Sequence, residues 1–441
     1  MKKNRLLKNP GSFVQVLLIP ALLALAGLLF LWAATWIPGR WLRENVKESA
    51  LQLADEGVYA QVTLPGAAAA YVQDNVTEEL ILETSYTMER PLDILLKPVR
   101  ESEYSYEEQF CKLLDVAEGK NLSTWNYSRY WMGFRMFVRP LLCLFPLRGL
   151  RQLTGALCFL LFAGLLAAAS RRISVRAALA CACACGLIEP YALAHSLQFA
   201  PVFLLMLLFS LFLSLRDLRM ADGACFACFC AFGALTQFFD FYTCPLVTCL
   251  FPLLFLVSRE DAPAGQLLRR ALRLVLGWLC AYGIMWLLDL LLVTVFTPMN
   301  GFEPAMRSLL NWVGLAPGGR NSALSYNPRD ALWAVYWRAT TRILGDYLHL
   351  PGLAALCLIS AVLLIMARRR SGDWGKTPVY LALGALPLLW FAAAAQPTIR
   401  HAYFQYRSIG AVYFALFLAL GDACAVLSEG RKARTNKPYH K

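Results

Sequence analysis

The sequence predicts an all-α fold, a polytopic integral membrane helix bundle of about ten transmembrane helices with a large external loop after the first span. Of the 441 residues, 58% are hydrophobic and 16% are charged, which leaves too little polar surface to cover a soluble globule. The apolar residues are grouped into stretches of about 18 to 25, the length that a helix needs to cross roughly 30 Å of hydrocarbon. These stretches lack the alternation of barrel strands, and backbone groups in lipid must be paired, so helices are expected.

The first apolar stretch follows a basic N-terminal segment, as in a signal peptide. It is long, however, and no small-residue cleavage site follows it, so we expect a retained anchor. The predicted spans are 13–36, 150–170, 177–194, 197–215, 223–239, 241–257, 273–297, 350–367, 377–396 and 408–427. The predicted regions are 1–37 (N-terminus and first helix), 38–151 (external loop region), 152–297 (helices 2–7), 298–349 (second external loop), 350–428 (helices 8–10) and 429–441 (basic tail).

Basic clusters predict the orientation, because short loops rich in Lys and Arg stay in the cytoplasm. The clusters fall at every second boundary of the predicted spans, which places both termini in the cytoplasm and the chain in the cell (plasma) membrane. This topology also explains the net charge of +13, and no nucleic-acid partner is expected. The clusters lie at 2–8, 171–176, 216–219, 269–273, 368–370 and 431–434.

The external segments contain amphipathic and aromatic stretches. Short helices lying on the membrane surface are expected in region 38–151, which changes from Glu-rich to aromatic and basic over 127–139. The amphipathic stretches are 43–56, 75–83 and 106–118. Trp312, Trp333 and Trp337 favour the headgroup level for the second loop. Three tripeptides, 75–77, 121–123 and 126–128, match the glycosylation acceptor pattern.

The 14 cysteines do not predict a metal centre. Most lie in spans, where buried Cys is usually filler, and the carboxylate or His partners that zinc would need are absent from these runs. Cys111, Cys143 and Cys244 lie on or near the outside, and their pairing stays open. No tightly bound cofactor is expected, while the need for a divalent metal is left open.

Three carboxylates are candidate catalytic residues in an external cavity formed by the loops. Asp74, Glu78 and Asp240 could each take a proton from an acceptor. Asp74 and Glu78 could equally form a helix N-terminus with a capping residue and an acidic first turn. Asp240 could equally cap the next helix at the membrane interface.

Candidate substrate-binding residues lie in two external turns. His195, Arg400, His401, Tyr403 and Arg407 could bind a phosphate-bearing lipid, because arginine grips phosphate bidentately. If the final helix starts early, His401 and Arg407 would face one side with Tyr403 between them. Arg400 could instead reach headgroups, and His195 could have a structural role.

Asp289 lies deep in a span, and a buried carboxylate there needs an internal partner. The partner could belong to a functional site or to a hydrogen bond between packed helices.

Several segments together resemble GT-C membrane glycosyltransferases. They are the single first span with its large outside loop, YSRYWMGFRMFVRP at 127–140, LTQFFDFYTCP at 235–245 and RHAYFQYR at 400–407. The resemblance implies a polyprenyl-phosphate-linked sugar donor and a catalytic acid in the first external loop. By position it implicates Glu44, Glu48, Asp74 or Glu78, and Arg43 with Glu44 stands where many members carry an acidic pair.

The sequence thus favours a glycosyltransferase of the cell envelope that acts on the outer face. Its partners would be membrane lipids and a lipid-linked sugar donor, with the oligomeric state open. Two alternatives remain: a lipid or polysaccharide transporter, which would need related halves with charged midplane residues, and a non-catalytic envelope assembly protein. The absence of a P-loop excludes an ATP-driven pump within this chain.

Overall fold

The computed structural model describes residues 10–62, 71–101, 105, 108, 110–216, 222–312 and 328–435. Over these residues the all-α prediction is confirmed, with two short antiparallel strand pairs added to it. The helices are α1 Pro10–Thr35, α2 Arg43–Glu56, α3 Asn75–Tyr86, α4 Asp93–Leu96, α5 Phe110–Glu118, α6 Arg135–Leu141, α7 Leu147–Arg172, α8 Val175–Gly186, α9 Pro190–Ala194, α10 Ala200–Leu215, α11 Asp222–Phe239, α12 Val247–Arg259, α13 Ala264–Phe296, α14 Phe302–Trp312, α15 Pro328–Ser371, α16 Thr377–Ala393, α17 Ala395–Arg400, α18 Ala402–Gln405 and α19 Gly410–Thr435. The strands are β1 Tyr59–Val62, β2 Tyr71–Asp74, β3 Pro98–Arg100 and β4 Thr124–Asn126, and 3-10 turns occupy Gly39–Trp41 and Tyr406–Ile409.

Helices occupy the place of every predicted span, and long apolar helices indicate a membrane-spanning protein. Within the described ranges, five helical segments are long and apolar enough to cross a membrane. These segments are Phe13–Thr35, Leu147–Arg172, Asp222–Phe239, Ala264–Phe296 and Ala402–Ser428. Four further apolar helices, α8, α10, α12 and α16, are shorter, and the crossing of these four helices stays a prediction.

Two predicted spans differ in their limits from the helices observed. Span 177–194 divides into α8 and α9, because Glu189 has a left-handed φ of 57° and Pro190 has no N–H to continue the helical bonding. Span 350–367 is the later part of α15, which begins at Pro328. Part of the predicted second external loop is therefore helical and continuous with this span.

The bundle is built around closely packed helix pairs with a large shared apolar core. The helix α11 packs along α13, α10 lies between α7 and α12, and α16 packs on α19. Gly233 in α11 meets the carbonyl of Trp278 in α13, where any Cβ would collide with the backbone. A glycine here lets the two helices approach at backbone distance.

The described part of region 38–151 forms a layer of short helices and strands that pack on one another. The helices α2, α3 and α5 bury a common apolar cluster that includes Val46, Leu82 and Leu113. Buried Lys112 of α5 bridges Glu79 (3.0 Å) and Glu83 (2.8 Å) of α3. These apolar faces therefore cover one another, and the position of the helices at the membrane surface stays a prediction.

Two short antiparallel strand pairs lie in this layer, and neither was expected from the sequence. The strand β1 pairs with β2 in the register Tyr59 to Asp74, and β3 pairs with β4 in the register Pro98 to Asn126. Their strands are only three or four residues long, so they carry little alternation for a sequence reading to detect.

Two buried basic side chains attach this layer to the bundle. Arg139 of α6 donates hydrogen bonds to Ala34 O (3.0 Å) in the last turn of α1 and to Ile37 O (2.6 Å) just after that helix. It also donates to Ser85 O and Tyr86 O at the end of α3. Carbonyls at helix ends need partners from outside the helix, and Arg139 supplies donors to four carbonyls in such places. Lys97, in the turn after α4, forms an ion pair of 3.1 Å with Asp289 of α13, and both side chains are fully buried.

The predicted basic clusters that the structure describes gather at the opposite end of the bundle, whereas residues 2–8 and 217–219 lie outside the described residues. Arg259 at the end of α12 donates to Arg216 O after α10 (2.6 Å), and Lys376 donates to Ser258 O (2.8 Å). Arg370 at the end of α15 donates to Leu427 O of α19 (3.0 Å). The bundle thus has one basic end and one end that carries the loop layer, as expected if basic loops follow every second helix.

Candidate functional site

A polar cavity of about 370 Å³ lies where the loop layer meets the ends of the helices. Its volume falls at the lower end of the range for small-molecule sites. Three of the predicted site residues, Asp74, Arg400 and His401, line it together. The other lining residues are Thr77, Leu80, Tyr127, Arg129, Tyr130, Gln198, Phe241, Tyr242, Ser308, Asn311, Gln396, Pro397, Phe404 and Gln405.

Asp74 is held rigidly at the cavity by three donors. It is the N-cap of α3, where Oδ1 accepts from the backbone N–H of Thr77 (3.1 Å) and Oδ2 accepts from the Thr77 hydroxyl (2.9 Å). The hydroxyl of Tyr403, another predicted site residue, donates to the same Oδ2 (3.0 Å). The capping interpretation is therefore confirmed, and Asp74 also faces the cavity.

Cationic and imidazole side chains surround the exposed part of the cavity. Arg129, Arg400 and His401 line it and are exposed. Arg129 lies over the ring of Tyr127 (5.1 Å), and His401 stacks on Phe404 at 5.1 Å between ring centroids. Covering one face of the imidazole lowers the pKa of His401, which the charge of Asp74 partly opposes. Positive charge thus lies beside a fixed carboxylate.

The deeper wall of the cavity is neutral, with amides and aromatic rings. Gln198 and Gln405 are buried, and the side-chain oxygen of each has no hydrogen-bond partner among the described residues. Gln405 Nε2 donates to the carbonyl of Tyr242 (3.1 Å). The ring of Tyr130 packs edge-on against Phe241 (5.7 Å). Buried amide oxygens that lack a donor among the described residues, next to aromatic rings, suit a ligand with hydroxyl groups and an apolar face.

Tyr242 adopts a backbone conformation that is rare for a residue with a side chain. Its φ is 62°, in the left-handed region that costs a bulky residue free energy. The turn is held by Asp240, whose carboxylate accepts from the Thr243 N–H (3.1 Å) and the Thr243 hydroxyl (2.6 Å). Strained turns of this kind occur often at functional sites.

Asp240 lies behind this wall and is absent from the cavity lining. It is buried, and burial raises the pKa of its carboxyl to about 6, although the hydrogen bonds from Thr243 oppose the shift. Asp240 does not cap the next helix either, because the N-cap of α12 is Leu246 and no side chain caps it. The acceptors of Asp240 are used by Thr243 within the turn.

Glu78 belongs to a separate buried network. Its carboxylate accepts from the Ser196 hydroxyl (2.6 Å), the Leu197 N–H (2.7 Å) and Arg151 Nε (3.2 Å). Arg151 also binds Glu56 (2.7 Å). Burial raises the pKa of Glu78, while Arg151 opposes this shift. The network joins α3 to α7 and to the connection before α10, and Glu78 does not line the cavity.

His195 lies beside this network and outside the lining. Its ring stacks on Tyr191 with centroids 5.2 Å apart. Partial burial, followed by the nearby charge of Arg151, lowers the pKa of His195. This placement suits the structural alternative for His195.

Arg407 does not form a joint grip with His401. It is buried and paired with Glu189 (3.1 Å), and the hydroxyl of Tyr406 donates to the same Glu189 oxygen (2.6 Å). The condition under which His401 and Arg407 would face one side is not met, because residues 395–409 are divided into α17, α18 and a 3-10 turn. The helix α19 therefore does not start early enough to place both on one face.

The sequence analysis missed the contribution of other segments to the site. Arg129 and Gln405 lie within quoted motifs and Gln198 lies three residues after His195, yet nothing in their spacing indicated a shared cavity. Asp289, by contrast, has the internal partner that was expected, Lys97. The region of the chain that the structure describes contains no group of three or more His, Cys, Asp or Glu side chains able to hold a metal.

No family model, no curated protein and no solved structure matches this chain. The functional argument therefore depends on the site itself.

Proposed function

We propose that this protein is a membrane-embedded glycosyltransferase of the cell envelope, which uses a polyprenyl-phosphate-linked sugar donor at the cavity beside Asp74. The observation that carries the proposal is the convergence of a fixed carboxylate, Asp74, with cationic side chains from two other segments, Arg129 and Arg400. Arginine suits the donor phosphate, because its planar fork matches phosphate oxygens. The sequence resemblance to GT-C enzymes points in the same direction.

The proposed reaction needs a base, a leaving-group site and a sugar site. The acceptor hydroxyl oxygen forms a bond to the anomeric carbon, and the bond from that carbon to the phosphate oxygen breaks. The phosphate leaves with the electron pair and is stabilised by Arg129 and Arg400. The hydroxyl proton passes to the carboxylate of Asp74, which the donors from Thr77 and Tyr403 hold in one orientation.

The neutral wall would hold the sugar itself. Pyranose hydroxyls could satisfy the side-chain oxygens of Gln198 and Gln405, which lack partners among the described residues. The apolar face of the ring could pack on Tyr130 or Phe241. The exposed arginines at the mouth of the cavity thus suit the donor phosphate, and the buried amides of the deeper wall suit the neutral sugar ring.

The test measures sugar transfer by the intact protein in lipid nanodiscs, with a radiolabelled polyprenyl-phosphate hexose panel and an envelope polysaccharide fraction. Asp74→Asn should reduce transfer by about 10² or more, the usual contribution of a general base. Asparagine caps a helix as well as aspartate does, so folding should persist. Asp55→Asn, an exposed carboxylate of α2, is the matched control.

The phosphate site is tested separately. Arg400→Ala should weaken donor use, whereas Arg307→Ala should not, because Arg307 forms only an exposed pair with Glu303 on the neighbouring α14 (3.0 Å). Full transfer by both Asp74→Asn and Arg400→Ala would refute the proposed site. Such a result would favour the alternative of a non-catalytic assembly protein.

A further inference from the structure

A second cavity lies at the basic end of the bundle, far in the fold from the loop layer. Its volume is about 300 Å³, and it lies between the start of α8, the end of α15, the turn before α16 and α19. Three cations line it: Arg176, Arg368 and Lys376. None of them has a part in the proposed transfer reaction.

The two guanidinium groups have hydrogen-bonding capacity to spare. Arg176 makes one long contact, to Gly421 O at 3.5 Å. Arg368 lies over the ring of Trp374 at 4.9 Å, and no hydrogen bond joins it to another residue that the structure describes. Each guanidinium carries five N–H donors, so most of these donors remain available to a ligand.

The cavity has a net positive lining. Two carboxylates, Asp373 and Asp422, face the three cations. Asp373 Oδ1 already accepts from the Gly375 N–H (3.1 Å) within the turn. The excess charge and the arginine forks favour an anion with several oxygens, of which phosphate is the best match.

The surroundings indicate that this phosphate belongs to a lipid. Leu364, Ala367 and Val426 form an apolar part of the lining, and the neighbouring face of α15 exposes Ile365 and Met366. Trp374 is 39% exposed, as is usual for an aromatic ring at headgroup level. Basic cavities between membrane helices commonly bind anionic headgroups.

We propose that this cavity is a binding site for the phosphate of an anionic lipid headgroup, with the acyl chains along the exposed face of α15. The bound phosphate bridges Arg176 of α8 to Arg368 of α15 and stabilises the packing of the basic end. The site is independent of the glycosyltransferase proposal.

The test is native mass spectrometry of the intact protein in detergent, titrated with phosphatidylglycerol or phosphatidylcholine of identical chains. Phosphatidylglycerol should be retained preferentially. Arg176→Ala and Arg368→Ala should each weaken its binding about fivefold, the usual contribution of one basic residue near an anionic headgroup. Arg171→Ala is the matched control, because Arg171 is exposed at the same end but does not line the cavity.

Additional measurements distinguish binding of a lipid headgroup from loss of folding and from binding of free phosphate. Arg368→Lys should recover part of the affinity, and the variants should keep the helical content of the wild type in zwitterionic lipid. Equal retention of the two lipids, or an equal loss with Arg171→Ala, would overturn the proposal. Displacement of the lipid by millimolar inorganic phosphate would identify free phosphate as the ligand and would also overturn it.

Discussion

The buried ion pair between Lys97 and Asp289 gives the sharpest prediction about stability. Both side chains have 0% exposure, and their charged atoms are 3.1 Å apart. Lys97 Nζ also donates to Leu95 O (3.3 Å). The perturbations are Asp289→Asn and Lys97→Met, alone and combined. Met has a side chain of similar length to that of Lys. Position 97 has a left-handed backbone, which is as unfavourable for Met as it is for Lys.

The magnitude follows from what each single change leaves behind. Asp289→Asn leaves a buried ammonium without its counter-charge, and Lys97→Met leaves a buried carboxylate. Removing one partner of a buried pair typically costs about 3 to 5 kcal/mol of unfolding free energy. The double variant leaves no buried charge, so its cost should be well below the sum of the two single costs.

The assay is reversible unfolding of the purified protein by denaturing detergent, followed by helical circular dichroism, with limited proteolysis of region 38–151 as a second readout. The single variants should release this region to protease earlier than the double variant. The reasoning is refuted if Asp289→Asn costs less than about 1 kcal/mol, the value of an exposed pair, or if the two single costs add.

Two further predictions concern Arg139 and Asp240. Arg139→Met should lower the free energy of unfolding by about 3 kcal/mol or more, since four carbonyls at or just after helix ends lose the guanidinium donor. Arg90→Met, in a pair whose arginine side chain is 75% exposed, should cost under about 1 kcal/mol. Equal costs for the two variants would contradict the role of Arg139 at these helix ends. Burial raises the pKa of Asp240 to about 6 from 3.8, so the folded state holds this proton more tightly, and its contribution to stability is lost as pH rises from 4 through 6. Asp240→Asn should therefore gain about 3 kcal/mol relative to the wild type between pH 4 and pH 8, measured by thermal unfolding; a parallel pH profile of the two proteins would contradict this.

Several elements could be predicted from local patterns. The helix α2 begins and ends at the residues expected from its amphipathic pattern, Arg43–Glu56, because the period of its apolar residues lies within one short segment. The capping role of Asp74 was also readable, since a cap needs only its own next turn. The short strand pairs were missed because so few residues pair in each.

The site could be predicted only in part, since its contacts join distant residues. Tyr403 and Asp74 are 329 positions apart, and Lys97 and Asp289 are 192 apart. No periodicity connects such pairs. Glu78 and Arg407 had suitable chemistry for the site, but each forms an ion pair outside the cavity, Glu78 with Arg151 and Arg407 with Glu189.

The sequence by itself determined that the chain is helical and belongs in a membrane, because long apolar stretches leave the backbone no partner except its own helix. Tertiary structure alone decided which charged side chains line a cavity and which form buried ion pairs. The physical reason is that a buried charge must find a partner wherever packing brings one, and packing depends on the whole chain.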